Sequence, residues 1–553
     1  MQRFLPSIAI TLLALIIAAA RIDPGMVNSG LPDGPGLTPD ESFNILQGYF
    51  LADAVFEHGP LLWTPEGARQ VFGDPNYLPD HPPLGRLLLG FSHELTGGLF
   101  PGADEALANV PAARLGSCVA FALTVLLLFE FSRRRCGLLT AVLAAAFLML
   151  MPRVVGHARL ASLETATSLA WLAAFVPLWS WWTSNRPPNT RQCLISGLLF
   201  GILLLTKVQG ILVPPLVVVW AFYALRHRAV RPLLIWGLTA AVTFFVGWPW
   251  LWLDPIDHVM TYLGRAAERP TLYVWYLGER YEDKLVPWHY PFVMLFVTVP
   301  LVVLIPLVKR VAQRPTDRTS WLIAASSFWP LIVFALPGTP VYDGTRLFLV
   351  IMPGLSLLAA QGTTALLQPA ANSTPSRRRP LIVLLLIVLA VPPALQVVSP
   401  FAISSYSLLL GQQRGAAALG MESSYWVEGW NGSFWKQVPE HSTVHIAPIS
   451  HQFQLGALET LVPIIAERNI RLVPYYYDPQ QQRGLILLNH RLADLPPDLR
   501  APPDGAEVVA EVRYGGTVLT RLIDTSSATW DAPAKWPPEL LNVRPEPEVT
   551  SAE

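Results

Sequence analysis

Eleven apolar windows, with basic residues clustered in every second connection between them, constrain this chain more than any other feature. A helix needs about 20 mostly apolar residues to cross a bilayer. The windows are 4–20, 110–132, 138–152, 164–182, 194–206, 211–225, 233–250, 291–308, 321–336, 347–366 and 380–397. They predict an α-helical integral membrane fold of about eleven transmembrane helices. The weakest is 194–206, which is short and carries Gly197 and Gly201. Only 14% of residues are charged, against about 25% in soluble proteins. Lys+Arg (39) balances Asp+Glu (39), so there is no basic field for nucleic acid. The 19 Trp suit a chain with two bilayer interfaces, and three cysteines are too few for a disulfide framework.

The basic residues set the orientation. Arg3, then Arg133, Arg134 and Arg135, then Arg186 and Arg191, then Arg226, Arg228 and Arg231 fall in alternate connections. Lys309, Arg310, Arg314 and Arg318, and then Arg377, Arg378 and Arg379, continue the series. The positive-inside rule puts these in the cytoplasm, with the N-terminus inside and the C-terminus outside. A cleaved signal peptide ending near Ala18-Ala19-Ala20 is the other reading of the first window; it leaves the remaining topology unchanged. The expected organisation is a transmembrane domain over 1–400 with outer loops 21–109 and 251–290, an extracytoplasmic α/β domain over 401–530 and a disordered tail over 531–553. Strands are expected within 443–448, 470–475, 483–488 and 507–523, with one amphipathic helix over 453–468. Asn431-Gly432-Ser433 is a glycosylation sequon by pattern. No internal repeat is evident, and the spans read as almost free of charge.

Polar motifs gather in the outer connections. Thr38-Pro39-Asp40-Glu41 reads as a helix start: Thr38 as N-cap, Pro39 as first helical residue and Glu41 closing a capping box. An Asp carboxylate, with a reference pKa of about 4, is ionised at neutral pH and can accept a proton. Asp80-His81-Pro82-Pro83-Leu84-Gly85-Arg86 reads as an extended entry into a second helix. The connection after 152 holds His157, Arg159 and Glu164, with Ser162 as candidate cap. Lys207 sits in a short turn, and Tyr342-Asp343-Gly344-Thr345-Arg346 reads as a β-turn at Asp343-Gly344. The topology puts all five clusters on the same membrane face. Arg86, Arg159, Lys207 and Arg346 converging there suit a phosphorylated lipid, with a carboxylate to activate a nucleophile.

These motifs resemble the protein O-mannosyltransferases and the related aminoarabinose and other polyprenyl-phosphate-sugar transferases of the integral-membrane GT-C superfamily. The resemblance rests on the Asp40-Glu41 pair followed by Asp80-His81-Pro82-Pro83-Leu84-Gly85-Arg86. The mannosyltransferases have one residue between the Asp and His, and a Lys where this chain has Arg86. His157-Ala158-Arg159 with a following acid, Tyr342-Asp343-Gly344-x-Arg346 and Gly420-Met421-Glu422-Ser423-Ser424-Tyr425-Trp426 add to it, with Glu164 where an Asp is usual. It implies a polyprenyl-phosphate-linked sugar as donor and a protein, lipid or polysaccharide hydroxyl as acceptor. It implies inversion at the anomeric carbon, with Asp40 as general base beside Glu41. Asp80, His81, Arg86, Arg159, Lys207, Tyr342, Asp343 and Arg346 would bind donor phosphate or substrate. A divalent metal on His157 and Glu164 is the one cofactor left open. The implied setting is a bacterial inner membrane. A transporter or lipid flippase is the competing reading; it calls for charges near the bilayer midplane and related halves.

Overall fold

The computed structural model describes residues 4–25, 30–100, 108–267, 270–313, 315, 317–367, 378–448, 452–475 and 483–529. Every one of the eleven windows is helical, but they differ in length. Among the described residues, Val110–Cys136, Arg346–Leu367, Arg379–Val398 and the run Val208–Gly247 are long and apolar enough to cross a bilayer. That last run is interrupted at Arg226–Ala229, where a tight 3-10 turn separates Val213–Leu225 from Val230–Gly247. Leu138–Met149 and Pro152–Ala158 pass the same test only together, as a pair bent by 71°. The expected outer connection after residue 152 therefore begins with a helix. Other windows hold shorter pieces: Leu5–Ala19 and Thr190–Leu204 have 15 residues each. Pro300 splits window 291–308 into Tyr290–Thr298 and Leu301–Ala312, because Pro lacks the N–H that would continue the ladder. The window Arg346–Leu367 is 94% buried and Arg379–Val398 only 17%, so the first is an inner helix and the second faces outward.

The basic connections do meet at one end of the bundle. Arg135 pairs with Asp317 at 3.3 Å, Arg318 donates to Ser184 O and Ala224 O, and Arg231 reaches Thr190. The five polar clusters lie in the alternate connections. The spans are not free of charge, however. Arg114 and Glu130 lie inside Val110–Cys136, and Arg153 is buried under the rings of Tyr406 and Tyr425.

The connection between the first two windows carries the helices Pro39–His58, Pro65–Phe72 and Pro83–Thr96. The first and last of these pack backbone to backbone at Gly48 and Gly90. A Cβ on Gly90 would lie 1.9 Å from Gly48 O, so only glycine permits this approach. The connection 251–290 carries the helix Pro255–Ala267 and a hairpin, β1 (Tyr273–Tyr276) and β2 (Glu279–Glu282). The hairpin leans on the C-terminal part through Gly278 N to Gly420 O at 2.9 Å and Arg280 Nε to Ala493 O at 2.6 Å.

Beyond residue 400 lies a five-stranded mixed sheet. Its strands are β3 (Thr443–Ala447), β4 (Arg471–Pro474), β5 (Leu485–Asn489), β6 (Glu507–Tyr514) and β7 (Thr517–Asp524), in the order β4-β3-β5-β7-β6. β3 runs parallel to β4 and β5, and β7 antiparallel to β5 and β6. The expected segment 507–523 is two strands turned at Gly515-Gly516, both at positive φ. The expected single helix over 453–468 is two, Gln452–Leu461 and Pro463–Glu467, broken at Pro463. The tail 531–553 lies outside the described residues.

This domain is not a free appendage. Trp430, Phe434 and Trp435 share one buried cluster with Leu37, Ile45 and Leu89 of the first loop. Gly36 N donates to Glu428 O, and Gly432 N to Pro24 O. Asn431 is buried by the same docking and caps a short turn through Phe434 N, so the sequon pattern is no accessible acceptor. We expect Gly90→Leu to destabilise the first-loop helix pair by about 1–3 kcal/mol, read as a lower melting temperature in detergent. An unchanged melt would show that the two helices do not touch at Gly48.

Candidate active site

Thr38 starts the helix Pro39–His58 as a capping box. Glu41 N donates to Thr38 Oγ1 at 3.4 Å, and Thr38 N donates to Glu41 Oε2 at 2.9 Å. The turn sends its two acids in different directions. Glu41 is fully buried, and Arg114 Nε and Nη2 donate to its two oxygens at 2.8 Å each. Ala161 N donates to the same carboxylate at 2.6 Å. Arg114 spends its remaining N–H groups on the carbonyls of Ile22, Pro35 and Gly36. Glu41 therefore does not line the cleft, contrary to its expected place beside Asp40. As third helical residue it turns back into the bundle and becomes a structural strut.

Asp40 points the other way, with 41% of its side chain exposed, and pairs with Arg346 Nη2. Arg346 follows a turn in which Asp343 and Gly344 sit at φ 54° and 65°. A Cβ on Gly344 would meet Arg153 Nη1 at 2.5 Å, so the turn expected there needs its glycine. The guanidinium carries three carboxylates. Besides Asp40, its Nε donates to Glu164 Oε1 at 2.7 Å and its Nη1 to Asp343 Oδ2 at 2.9 Å. Trp426 lies against it, 4.6 Å from ring centroid to Cζ. Lys207 Nζ shares Glu164 Oε1 at 2.5 Å. Burial, only partly offset by Glu164, lowers the Lys207 pKa from its ordinary value.

The second first-loop motif faces the same space. Arg86 is buried and chelates Asp80, with Nη1–Oδ1 2.7 Å and Nη2–Oδ2 3.0 Å. Its Nε reaches Asn44 Oδ1 at 3.3 Å and its Nη1 reaches Leu78 O at 2.8 Å. Burial would raise the Asp80 carboxyl, but Arg86 outweighs it and holds the pKa below the usual range. Burial and Arg86 together push the His81 imidazole down to about 4. Asp40, Asn44, Asp80, His81, Arg86, Glu164, Lys207 and Arg346 line one cleft of about 100 Å³. The structure thus brings together residues separated by up to 306 positions in the chain.

Besides Glu41, the expected residues Arg159, Tyr342 and His157 are not among those lining the cleft. Arg159 is buried and donates to Ile17 O, Ala18 O and Ser399 O, closing the ends of two helices instead of facing the cleft. Tyr342 lies beside Arg346, 6.0 Å from ring centroid to Cζ. His157 is buried edge-on to Trp426 and shares a small void of about 10 Å³ with Glu164. Those two do not make a metal site. Among the described residues no group of three or more His, Cys, Asp or Glu could hold an ion. Glu164 Oε1 already serves two cations, whose charge would repel a third. Ser162 stands at the cap position of Leu163–Trp181, but its side chain makes no cap bond.

Sequence reading missed two residues. Arg114 was hidden in an apolar window. Arg491 comes from the C-terminal domain, just after β5. It pairs with Asp343 Oδ1 at 3.1 Å and Asp494 Oδ2 at 2.6 Å, and donates to Tyr425 O at 2.9 Å. Glu422 anchors the following backbone, accepting from Leu492 N at 2.6 Å and Ala493 N at 3.0 Å. Burial pushes the Glu422 carboxyl up to about 8 against those donors. Glu422 and Trp426 lie in the segment Gly420-Met421-Glu422-Ser423-Ser424-Tyr425-Trp426, their one signal in the sequence.

Residues 80–252, under a third of the chain, match the family model described as "Dolichyl-phosphate-mannose-protein mannosyltransferase". ArnT from Cupriavidus metallidurans, in the crystal structure bound to undecaprenyl phosphate, covers 94% of this chain and 98% of its own at 12% identity and a TM-score of 0.49. The archaeal oligosaccharyltransferase AglB from Archaeoglobus fulgidus, in complex with an inhibitory peptide and a dolichol-phosphate, covers 86% of this chain and 65% of its own at 12% identity and a TM-score of 0.47. No curated protein matches the chain in sequence.

Two outcomes follow from the geometry. Glu41→Gln leaves Arg114 buried beside a neutral group, which costs about 3–5 kcal/mol when a buried pair is broken. We expect it to lose folded protein on size-exclusion chromatography, not merely activity. His81 gives a pH dependence. Between about pH 6.5 and 4 the unfolded chain takes up a proton that the folded chain refuses, so stability falls as pH drops through that window. Melting curves of wild type and His81→Gln should converge toward pH 7 and part toward pH 4, the variant losing less.

Proposed function

We propose that this chain, a membrane glycosyltransferase by its kinship with the polyprenyl-phosphate-sugar transferases, moves a sugar from a polyprenyl-phosphate donor to an acceptor hydroxyl with inversion. The observation that carries this reading is the single cleft. In it a partly exposed carboxylate, Asp40, stands beside two cations, Lys207 and Arg346, at the end of an apolar bundle. Each group then has a task. Lys207 and Arg346 hold the donor phosphate. Asp40 takes the proton of the acceptor hydroxyl as its oxygen bonds to the anomeric carbon. The bond from that carbon to the phosphate oxygen breaks, and its electron pair leaves with the lipid phosphate. The cations stabilise the charge that develops there. Arg86 and Asp80 shape the opposite wall. The reaction takes place on the extracytoplasmic face of a bacterial inner membrane, with the N-terminus cytoplasmic and the C-terminus outside. The acceptor is a protein, lipid or polysaccharide hydroxyl. The C-terminal domain, docked on the first loop, stands where it would border an acceptor path.

General-base catalysis typically contributes about 10²–10⁴-fold. Asp40→Asn should lower transfer from a labelled polyprenyl-phosphate sugar by about that factor with the melting temperature unchanged. Transfer at the wild-type rate would remove Asp40 as base. No transfer from any polyprenyl-phosphate sugar to membrane extract would overturn the reaction class.

A further inference from the structure

Three carboxylates share the Arg346 guanidinium, and they are not equivalent. Glu164 is also held by Lys207, and its side chain is 2% exposed. Asp343 is also held by Arg491, and its side chain is 5% exposed. Asp40 has Arg346 as its single ion-pair partner among the described residues, and 41% of its side chain is exposed. Around Arg346 the carboxylates of Asp40, Glu164 and Asp343 face Arg346, Lys207 and Arg491, and Asp494 pairs with Arg491 as well. Every cation of the cluster thus has a carboxylate partner, and its base is tied to its principal phosphate-binding cation.

We propose that Asp40 and the donor's phosphate compete for Arg346, so that the lipid phosphate itself releases the base. This deepens the reading of the cleft as a lipid-phosphate sugar transferase and rests on it. An incoming phosphate anion needs N–H donors; of the cations lining the cleft Arg86 is already bonded to Asp80, Asn44 and Leu78 O, which leaves Lys207 and Arg346. Of the three carboxylates on Arg346, only Asp40 can be displaced without stripping a second cation of its partner or opening a buried pair. Its displacement leaves a carboxylate without a counter-ion beside the phosphate, which is the state that takes up a proton. The exchange is balanced. Arg346 Nη2 gives up a carboxylate and gains a phosphate oxygen, and no bond is made or broken until the hydroxyl arrives. After transfer Asp40 is protonated and neutral, and the lipid phosphate stays on the cations. Loss of that proton restores the competitor and expels the product. Without donor, the pairing blocks Asp40 from activating a hydroxyl or water, so the resting site is held inactive.

The sign of one binding measurement tests this. The probe is farnesyl phosphate titrated calorimetrically into the purified full chain in detergent. An exposed ion pair is worth up to about 1 kcal/mol, which corresponds to about fivefold in affinity. Asp40→Asn should therefore tighten binding by about two- to fivefold while lowering transfer by about 10²–10⁴-fold. Removing any negative charge near a phosphate also favours binding, so the Arg346 background decides. In Arg346→Lys, which keeps the charge but not the forked reach to Asp40, and in Arg346→Gln, the tightening by Asp40→Asn should vanish. The more conservative variant serves if the other fails to fold. If the tightening persists undiminished in Arg346→Lys, the effect is general electrostatics and the competition is overturned. If Asp40→Asn lowers transfer but leaves affinity unchanged or weaker, the competition fails and the transferase reading stands. If farnesyl phosphate binds neither wild type nor variant, the reading of the cleft as a lipid-phosphate site fails, and the competition with it.

Discussion

The buried pair between Glu41 and Arg114 positions nearly everything else at the outer end of the molecule. Arg114 leaves an apolar helix and must find acceptors for its N–H groups in a medium that offers no water. It finds Glu41 and the carbonyls of Ile22, Pro35 and Gly36, and so folds the chain between the first two windows down onto the bundle. Glu41 in turn accepts from Ala161 N, which ties the next outer connection to the same point. Neither charge is tolerable alone, because an unpaired buried ion costs several kcal/mol. Asp40, one residue earlier, is thereby held at a fixed height and orientation. The precision of the cleft derives from a pair that never touches it.

The C-terminal domain extends this logic. Its sheet could hold its own core, but Trp430, Phe434 and Trp435 spend their apolar surface against the first loop. Through Arg491 it also reaches Asp343, and through Trp426 it covers Arg346. Glu422 fixes the backbone that carries Arg491's neighbours. A loop turn of five residues could not by itself hold a guanidinium among three carboxylates. The C-terminal domain supplies Arg491 and the aromatic wall of Trp426 that make the arrangement stable.

The helical membrane architecture was legible because period and length are local properties. Thr38-Pro39-x-Glu41 announced a capped helix, and alternating arginines announced which connections meet. The cleft was partly legible: Asp40, Asp80, His81, Arg86, Glu164, Lys207, Asp343 and Arg346 do converge. What failed was the division of labour. Glu41, Asp40's neighbour, carries the same charge, yet helix geometry turns it inward. Arg159 looks like any outer-loop cation, yet its N–H groups close helix ends. The broken helix at Pro463 was a missed local signal. Arg114 and Arg491 could not be found locally, since one hides among apolar residues and the other lies beyond the resemblance.

Burial therefore assigns roles that residue type cannot. Glu164, Asp343 and Asp40 all bind the same guanidinium, but a closed carboxylate with two cations is a fixed counter-charge. It sets the potential felt by Lys207 and Arg346 and cannot leave without a heavy electrostatic penalty. An open carboxylate with one cation, by contrast, exchanges that partner for water or for another anion at little cost, because solvent screens what is lost. A transfer reaction needs both kinds. Fixed counter-charges keep two cations in a low-dielectric site without a substrate, and a labile one can change partner and take a proton. A site built only of buried pairs would be stable and inert, while one built only of exposed pairs would not hold its cations in register. The gradient of exposure across three acids on one arginine gives this cleft both.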